Sequence, residues 1–468
     1  VGRITALALV ALGALVATAL ALPATGGGPQ GPADGIQDLI GKVDALAKEV
    51  ATLRGLRVRK PIQKEVVTPS ALGERLARLA NEPKAQRITA AEDFGYSRWG
   101  LVAPNTDYAQ LVLALRGDQI LGYYDPDTKR LTMVLQPVTD VNAAELVLAH
   151  EIEHALQDQA FDLKKFEDVP ETEGDAKRAR RALVEGDALA TMVELMLQRR
   201  GSIAPWSDPD VTTALEKSMS VPGKGDSLDL APLAVREAMM FPYQAGLSFV
   251  AALRRRQPWS AVDAAFAKPP KSTEQILHPE RYQAGDNPIP VDIAPSTALA
   301  AWQIGQATVW GELGFTLFLR THGVDSAQAA IAGEGWGGDR VLSLIRPNDV
   351  RPERGIGIAR FEWDSEPDAI EAAEAAEKAF DNAIAGATIE HAYDRTRWLG
   401  IDGTISWIER KGPSLIMVLG VPAWMAGSLD VWAASSARGQ NATSTWLQTG
   451  TGAPTSPTLR PIRPATTK

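Results

Sequence analysis

Two of the chain's five histidines, His150 and His154, stand four residues apart inside an apolar-periodic stretch that runs to about Gln159. Four residues is a little over one helical turn, so both imidazoles project from one face, close enough for a single zinc ion to bridge them with bonds of ~2.0 to 2.1 Å. The spacing therefore constrains the fold strongly. The apolar periodicity reads as a helix, and a zinc held by the pair needs a third ligand from another element, whereas the same run on an exposed helix carries no site. Glu151 is turned ~100° from His150, which lets its carboxylate reach a water at the metal without ligating it. Asn142 followed by Glu145 predicts a capping box at the start of this helix.

The chain has no cysteine, which removes disulfides, thiolate ligands and thiol nucleophiles together. A third metal ligand must then be a carboxylate or another histidine. No HxxGxxH extension follows His154, so a third histidine in the metzincin position is absent. The next long helix, expected over 175–200 and closed by Gly201, supplies a better candidate. Glu185 has Ala188, Leu189, Met192 and Met196 at +3, +4, +7 and +11, so it sits on an apolar face turned to the core. A carboxylate there is costly unless it is paired or bound to metal. Arg181, one turn earlier, is the competing partner. Gly186 beside Glu185 permits close approach of a neighbouring helix. Glu194 and Glu173 are weaker candidates because their helical neighbours are mixed or absent.

A formal charge of −9 and a pI near 5.3 argue against nucleic acid as a partner, since no basic surface is available to displace counterions. With 45% apolar and 22% charged residues the bulk is that of a soluble globular protein. The first residues differ. Positions 4–22 hold only Ala, Leu, Val, Ile, Gly and Thr, and Ala17-Thr18-Ala19 and Ala19-Leu20-Ala21 both fit a signal-peptidase site. The chain is expected to be exported, to the periplasm or beyond, with 1–22 a signal peptide or, if retained, a membrane tether. Residues 23–55 are a linker and an amphipathic helix carrying Ile36, Leu39, Val43, Leu46, Val50 and Leu53, either packed on its own domain or a membrane-proximal stalk. A catalytic domain over 56–332, an α+β module over 333–433 and a disordered tail over 434–468 complete the organisation.

Within these limits the pattern predicts a strand over 56–68, a helix over 70–79 and a hairpin of 120–124 with 131–135 around Asp125-Pro126-Asp127-Thr128. The strand 131–135 is expected to offer an edge to an extended peptide. Helices are expected over 233–240, 245–256, 260–267 and 304–321. Strands follow over 341–345 and 356–363, then a helix over 366–380 and a hairpin of 404–408 with 415–419. Gly333, Gly335 and Gly338 satisfy GxGxxG in letters, but no strand precedes them and no helix opens after them, so they read as a turn on which Trp336 packs.

His-Glu-x-x-His on one helix with a Glu from the following helix resembles the gluzincin arrangement of zinc metallopeptidases. More closely, the chain resembles a family of bacterial exported metallopeptidases over about 56–380. The matching segments are Gly122-Tyr123-Tyr124-Asp125-Pro126, HEIEHALQDQAFDL from His150, ALVEGDA from Ala182, Phe241-Pro242-Tyr243, STEQILHPERY from Ser272 and GWGGDR from Gly335. Glu153 and Ala160 depart from the family pattern; neither is a ligand. The resemblance implies an α+β fold, a mainly helical zincin-like catalytic domain with a small N-terminal sheet. It implies a polypeptide substrate and Zn²⁺ on His150, His154 and Glu185, with Glu151 as general base. His278, Tyr282 and Tyr243 are the candidate donors to the oxyanion, and Asp158 and Asp187 the candidates for orienting the imidazoles. Two alternatives stay open: another zinc hydrolase, or a non-catalytic envelope binding or scaffold protein with a structural or vestigial metal site.

Overall fold

The computed structural model describes residues 32–436 apart from 105, 118–120, 139, 203–205, 207, 209–229, 256 and 295. The expected signal segment 1–22, linker residues 23–31 and tail from 437 onward lie outside the described residues. Among the described residues no helix is long and apolar enough to cross a membrane.

Helix α1 (Pro32–Arg54) buries Ile36, Leu39, Val43, Leu46 and Val50 of the 3,4 stripe read from the sequence and leaves its last member, Leu53, half-buried. Strand β1 (Gln63–Val67) is shorter than the expected 56–68, because Arg57, Arg59 and Lys60 are exposed and Pro61 lacks a ladder donor. Helix α2 (Pro69–Ala80) is capped by the Thr68 side chain, which accepts from the Ala71 N–H. After α3 (Pro83–Arg98) and α4 (Tyr108–Gly117) comes the expected hairpin, β2 (Gly122–Asp125) with β3 (Arg130–Val134), its turn held by the Asp125 carboxylate accepting from the Asp127 N–H. β1 joins β3 in parallel and β2 joins it antiparallel, so the order is β1-β3-β2. β3 is therefore central. Both its edges are filled, and it cannot take an added peptide strand as expected; the outer edges belong to β1 and β2.

The histidine-bearing helix is α5 (Val141–Phe161). Its capping box does not form. Asp140 is the N-cap, accepting from the Asn142 and Ala143 N–H groups, while Glu145 is drawn away to Lys42 and Arg199. Short α6 (Leu163–Phe166) leads to α7 (Gly174–Arg199), after which Gly201 adopts φ +71°. Helix α8 (Leu233–Arg254) is continuous where two helices are expected, with Pro242 inside it. Burial of Phe241, Tyr243, Leu247, Phe249 and Val250 outweighs the ~3 kcal/mol that an interior proline costs. Helices α9 (Ser260–Ala267), α10 (Thr273–Leu277) and α11 (Pro279–Ala284) follow. One apolar core joins α1, the three-stranded sheet, α5, α7 and α8.

The expected helix over 304–321 is in fact strand β4 (Gln303–Thr308) followed by α12 (Gly311–Thr321). Gly305 is pressed against the Phe94 ring, where a Cβ would stand 2.7 Å from a ring carbon, and β4 is claimed by pairing with β5. Beyond α13 (Ser326–Gly333) lie β5 (Trp336–Ile345), β6 (Ile356–Trp363), α14 (Glu366–Ala383), β7 (Thr388–Ala392), β8 (Arg395–Leu399), β9 (Thr404–Lys411), β10 (Ser414–Pro422) and α15 (Ala423–Ser436). These strands make an antiparallel sheet of order β4-β5-β6-β10-β9-β8-β7. The sheet thus starts upstream of residue 333, and helix continues through 434–436, where tail is expected. Gly335 turns at φ +80° and Trp336 is buried at the start of β5, so the glycine-rich stretch leads into a strand.

Candidate metal centre

Glu185 lies in the middle of α7, and its neighbour Gly186 meets Gly246 of α8. A Cβ on Gly186 would stand 2.1 Å from the Gly246 carbonyl oxygen, and one on Gly246 would stand 2.1 Å from that of Ala182. Only glycine at both positions lets the two backbones approach so closely. The crossing carries Tyr243, one turn before Gly246, to Glu185.

On the other side α5 brings the histidines. His150 Nε2 and His154 Nε2 are 3.1 Å apart, and Glu185 Oε2 stands 3.3 Å from the first and 3.4 Å from the second. A tetrahedron built on zinc bonds of 2.0 to 2.1 Å has edges of about 3.3 Å. The three atoms thus form one face of such a tetrahedron. Relative exposure is 2% for His150, 3% for Glu151, 8% for His154 and 0% for Glu185. A buried carboxylate without a cation is costly. Here Arg181 Nη2 reaches Glu185 Oε1 at 2.7 Å, so the competing arginine and the histidines share one carboxylate through different oxygens. Against the opposing effect of burial, Arg181 and His154 hold Glu185 well below the ordinary carboxylate range. Burial likewise opposes charge on His154, but Glu185 raises it to about 9.

Glu151 points from the same helix face toward β2, where its Oε2 accepts from the Tyr124 N–H at 2.7 Å. Burial pushes its carboxyl above the ordinary range. Tyr124 is also held at its far end, where the hydroxyl donates to Asp158 Oδ2 at 2.6 Å. Asp158 takes Lys129 Nζ and the Leu163 N–H as well, so it fastens the hairpin to α5 rather than touching an imidazole.

The group that does touch one is Gln157. His154 Nδ1 is 2.9 Å from Gln157 Oε1, and the amide nitrogen donates to Val184 O at 3.0 Å and Asp187 Oδ2 at 2.9 Å. Asp187 in turn accepts from Arg54 Nε at 2.6 Å. Asp187 therefore reaches the imidazole through Gln157. Neither Gln157 nor Arg54 is found by sequence reasoning, although Arg54 continues the α1 stripe four residues after Val50 and is wholly buried.

Tyr243 is buried against Glu185, and burial with that carboxylate pushes its phenol well above the usual range. The other two candidate donors are engaged elsewhere. His278 Nε2 lies 3.0 Å from Glu312 Oε1, and the Tyr282 hydroxyl donates to Lys268 O at 2.8 Å. Neither hydrogen-bonds to His150, Glu151, His154 or Glu185. Glu194 pairs with Arg254 and Trp206, and Glu173 with Arg340. A second carboxylate group, Glu274 with Asp286 and Asp364, already surrounds a cation, the Arg281 guanidinium.

Comparison with known proteins finds a match in the other part of the chain. A family described as "Domain of unknown function (DUF8575)" matches residues 301–426, which covers β4 to β10 and the start of α15 and none of the four residues above. No curated protein and no solved structure matches the chain.

Proposed function

We propose that the protein is an exported, zincin-like zinc metallopeptidase acting on polypeptides, with His150, His154 and Glu185 as the residues that would hold the ion. The observation that carries this reading is the triangle of Nε2, Nε2 and Oε2 with sides of 3.1, 3.3 and 3.4 Å. It is closed by the carboxylate that the helical pattern singles out. Bound zinc would supply Lewis acidity, polarising a carbonyl and acidifying water.

The remaining chemistry belongs to the chain. Glu151, one residue from a ligand and kept basic-side-inward by α5, takes a proton from the attacking water and returns it to the leaving amine. Tyr243, beside Glu185, is the donor best placed for the oxyanion, ahead of His278 and Tyr282. Strand β2, whose Tyr124 N–H turns away from β3 toward Glu151, is the edge along which an extended substrate lies. Pairing there withdraws that N–H from Glu151 and frees the base.

Glu151→Gln is the test. The amide keeps the shape but cannot accept the proton, so the variant binds zinc like the wild type, by mass spectrometry, and loses cleavage of casein or a peptide library by at least about 10²-fold. Zinc retained with wild-type cleavage removes Glu151 from the mechanism; no zinc in either protein removes the metal reading itself.

A further inference from the structure

The N-terminal helix ends on a charged residue that the core ought to reject. Arg54, last in α1, is 0% exposed, and it arrives there because Ile36, Leu39, Val43, Leu46 and Val50 seat the helix on α5 and α7. Its guanidinium lies over the Trp259 ring at 4.5 Å and meets Asp187 at 2.6 Å and Asp263 at 2.8 Å, with Glu153 at 3.7 Å. Burying so many charges is poor value for stability alone, since a well-packed apolar cluster does as well or better.

The hydrogen bonds give the arrangement a direction. Gln157 spends both amide hydrogens on acceptors, Val184 O and Asp187 Oδ2, which fixes the orientation of the amide. Its oxygen must then face His154, and the His154 nitrogen it faces, Nδ1, must carry the hydrogen. Nε2 is left as the nitrogen that a metal can use. Asp187 stays in place because Arg54 grips both its oxygens, at 2.6 and 3.3 Å. His150 has no such support among the described residues, where its buried Nδ1 meets no hydrogen-bond partner.

We propose that Arg54 is a positioning residue for the metal centre: through Asp187 and Gln157 it fixes the His154 imidazole with Nε2 toward the ion, so that this relay, rather than the apolar docking of α1, sets the affinity of the site for zinc. The inference rests on the zinc reading above. Second-sphere partners of this kind are worth about 10- to 100-fold in metal affinity.

Competition of the full chain against a chromophoric chelator for zinc, beside thermal unfolding of the metal-free protein, tests it. Arg54→Met and Gln157→Met are each expected to weaken zinc binding by about 10- to 100-fold, and the double variant to be no worse than Gln157→Met alone, because both act on one relay. Val43→Ala, which loosens α1 without touching the relay, is expected to lower the unfolding temperature and leave zinc affinity within about twofold. Gln157→Met keeps the Arg54–Asp187 pair, so it carries the test if Arg54→Met does not fold. Wild-type affinity in the Gln157 variant, losses that multiply in the double variant, or an equal loss in Val43→Ala overturns the proposal. Glu185→Ala separates the two readings: if it binds zinc as the wild type does, or the wild type binds none, the metal reading falls and the relay with it; if it alone loses zinc, only the relay falls.

Discussion

Arg181 and the two histidines divide one carboxylate, Arg181 taking Oε1 of Glu185 and the imidazoles facing Oε2. The guanidinium is the cation that makes a fully buried carboxylate tolerable in the metal-free chain. Arg181→Met should therefore destabilise the metal-free protein by about 3–5 kcal/mol, the usual cost of stranding a buried charge, and zinc should restore part of that loss. Urea unfolding with and without zinc measures both, and an equal zinc effect in variant and wild type would contradict the account. Single residues were legible in proportion to how far their surroundings betray them. Glu185 stands out because four apolar residues share its face. Gln157 does not, since a polar residue three places after a histidine looks the same whether it braces a ring or meets solvent. Arg54 is hidden by Leu53, which fits the apolar stripe equally well until burial selects between them. His278 is conspicuous as one of five histidines, yet its partner is Glu312.

At the scale of elements, the candidate metal site depends on the α7–α8 crossing, and that crossing depends on two glycines. Gly186→Ala would put a Cβ against backbone, which has no rotamer to yield, so α8 must move. The expected outcome is a loss of about 1–3 kcal/mol in stability together with reduced hydrolysis, because Tyr243 rides on the displaced helix. Near-wild-type unfolding and activity would show the crossing to be softer than its geometry indicates. Helices with an apolar stripe, α1, α5, α7 and α14, were readable from periodicity, as was the β2–β3 hairpin from its Asp-Pro-Asp turn. The misread elements share a cause. β4 carries no alternation of its own and is strand because β5 pairs with it from a distant part of the chain, Thr308 opposite Val341 and Gln303 opposite Ile345. Likewise α8 spans Pro242 because its two halves are held by different clusters, Ala234 with Phe315 and Phe318 of α12, and Phe241 to Leu253 in the core with α5 and α7. Neither fact is local, so neither is written in a local pattern.

Across the whole molecule, the helical part and the seven-stranded sheet are joined where α7 begins. Asp175 accepts from the Thr273 N–H at 3.0 Å and hydroxyl at 2.6 Å, and Gly311, at φ +73°, lies so close that a Cβ would stand 1.8 Å from Asp175 Oδ1. Arg340 adds a second fastening, reaching Thr172 O and Glu173. Burial raises the Asp175 carboxyl from its ordinary value to about 7. A raised acid binds its proton more tightly in the folded chain than in the unfolded one, so its contribution to stability is complete below about pH 4 and is lost as pH climbs through about 7. The unfolding temperature should accordingly fall between pH 5 and pH 8, and Asp175→Asn should flatten that slope; an unchanged slope in the variant would assign the pH dependence to other groups. The burial of α1 has a consequence for how this protein can be divided. Its stripe is part of the same apolar core that contains the middle of α5 and α7, so a fragment cut at residue 56 would expose that core to water. The smallest unit that can fold as described starts with the helix, and any protease that severs the chain between α1 and β1 leaves two pieces that must find each other again to remake one interior.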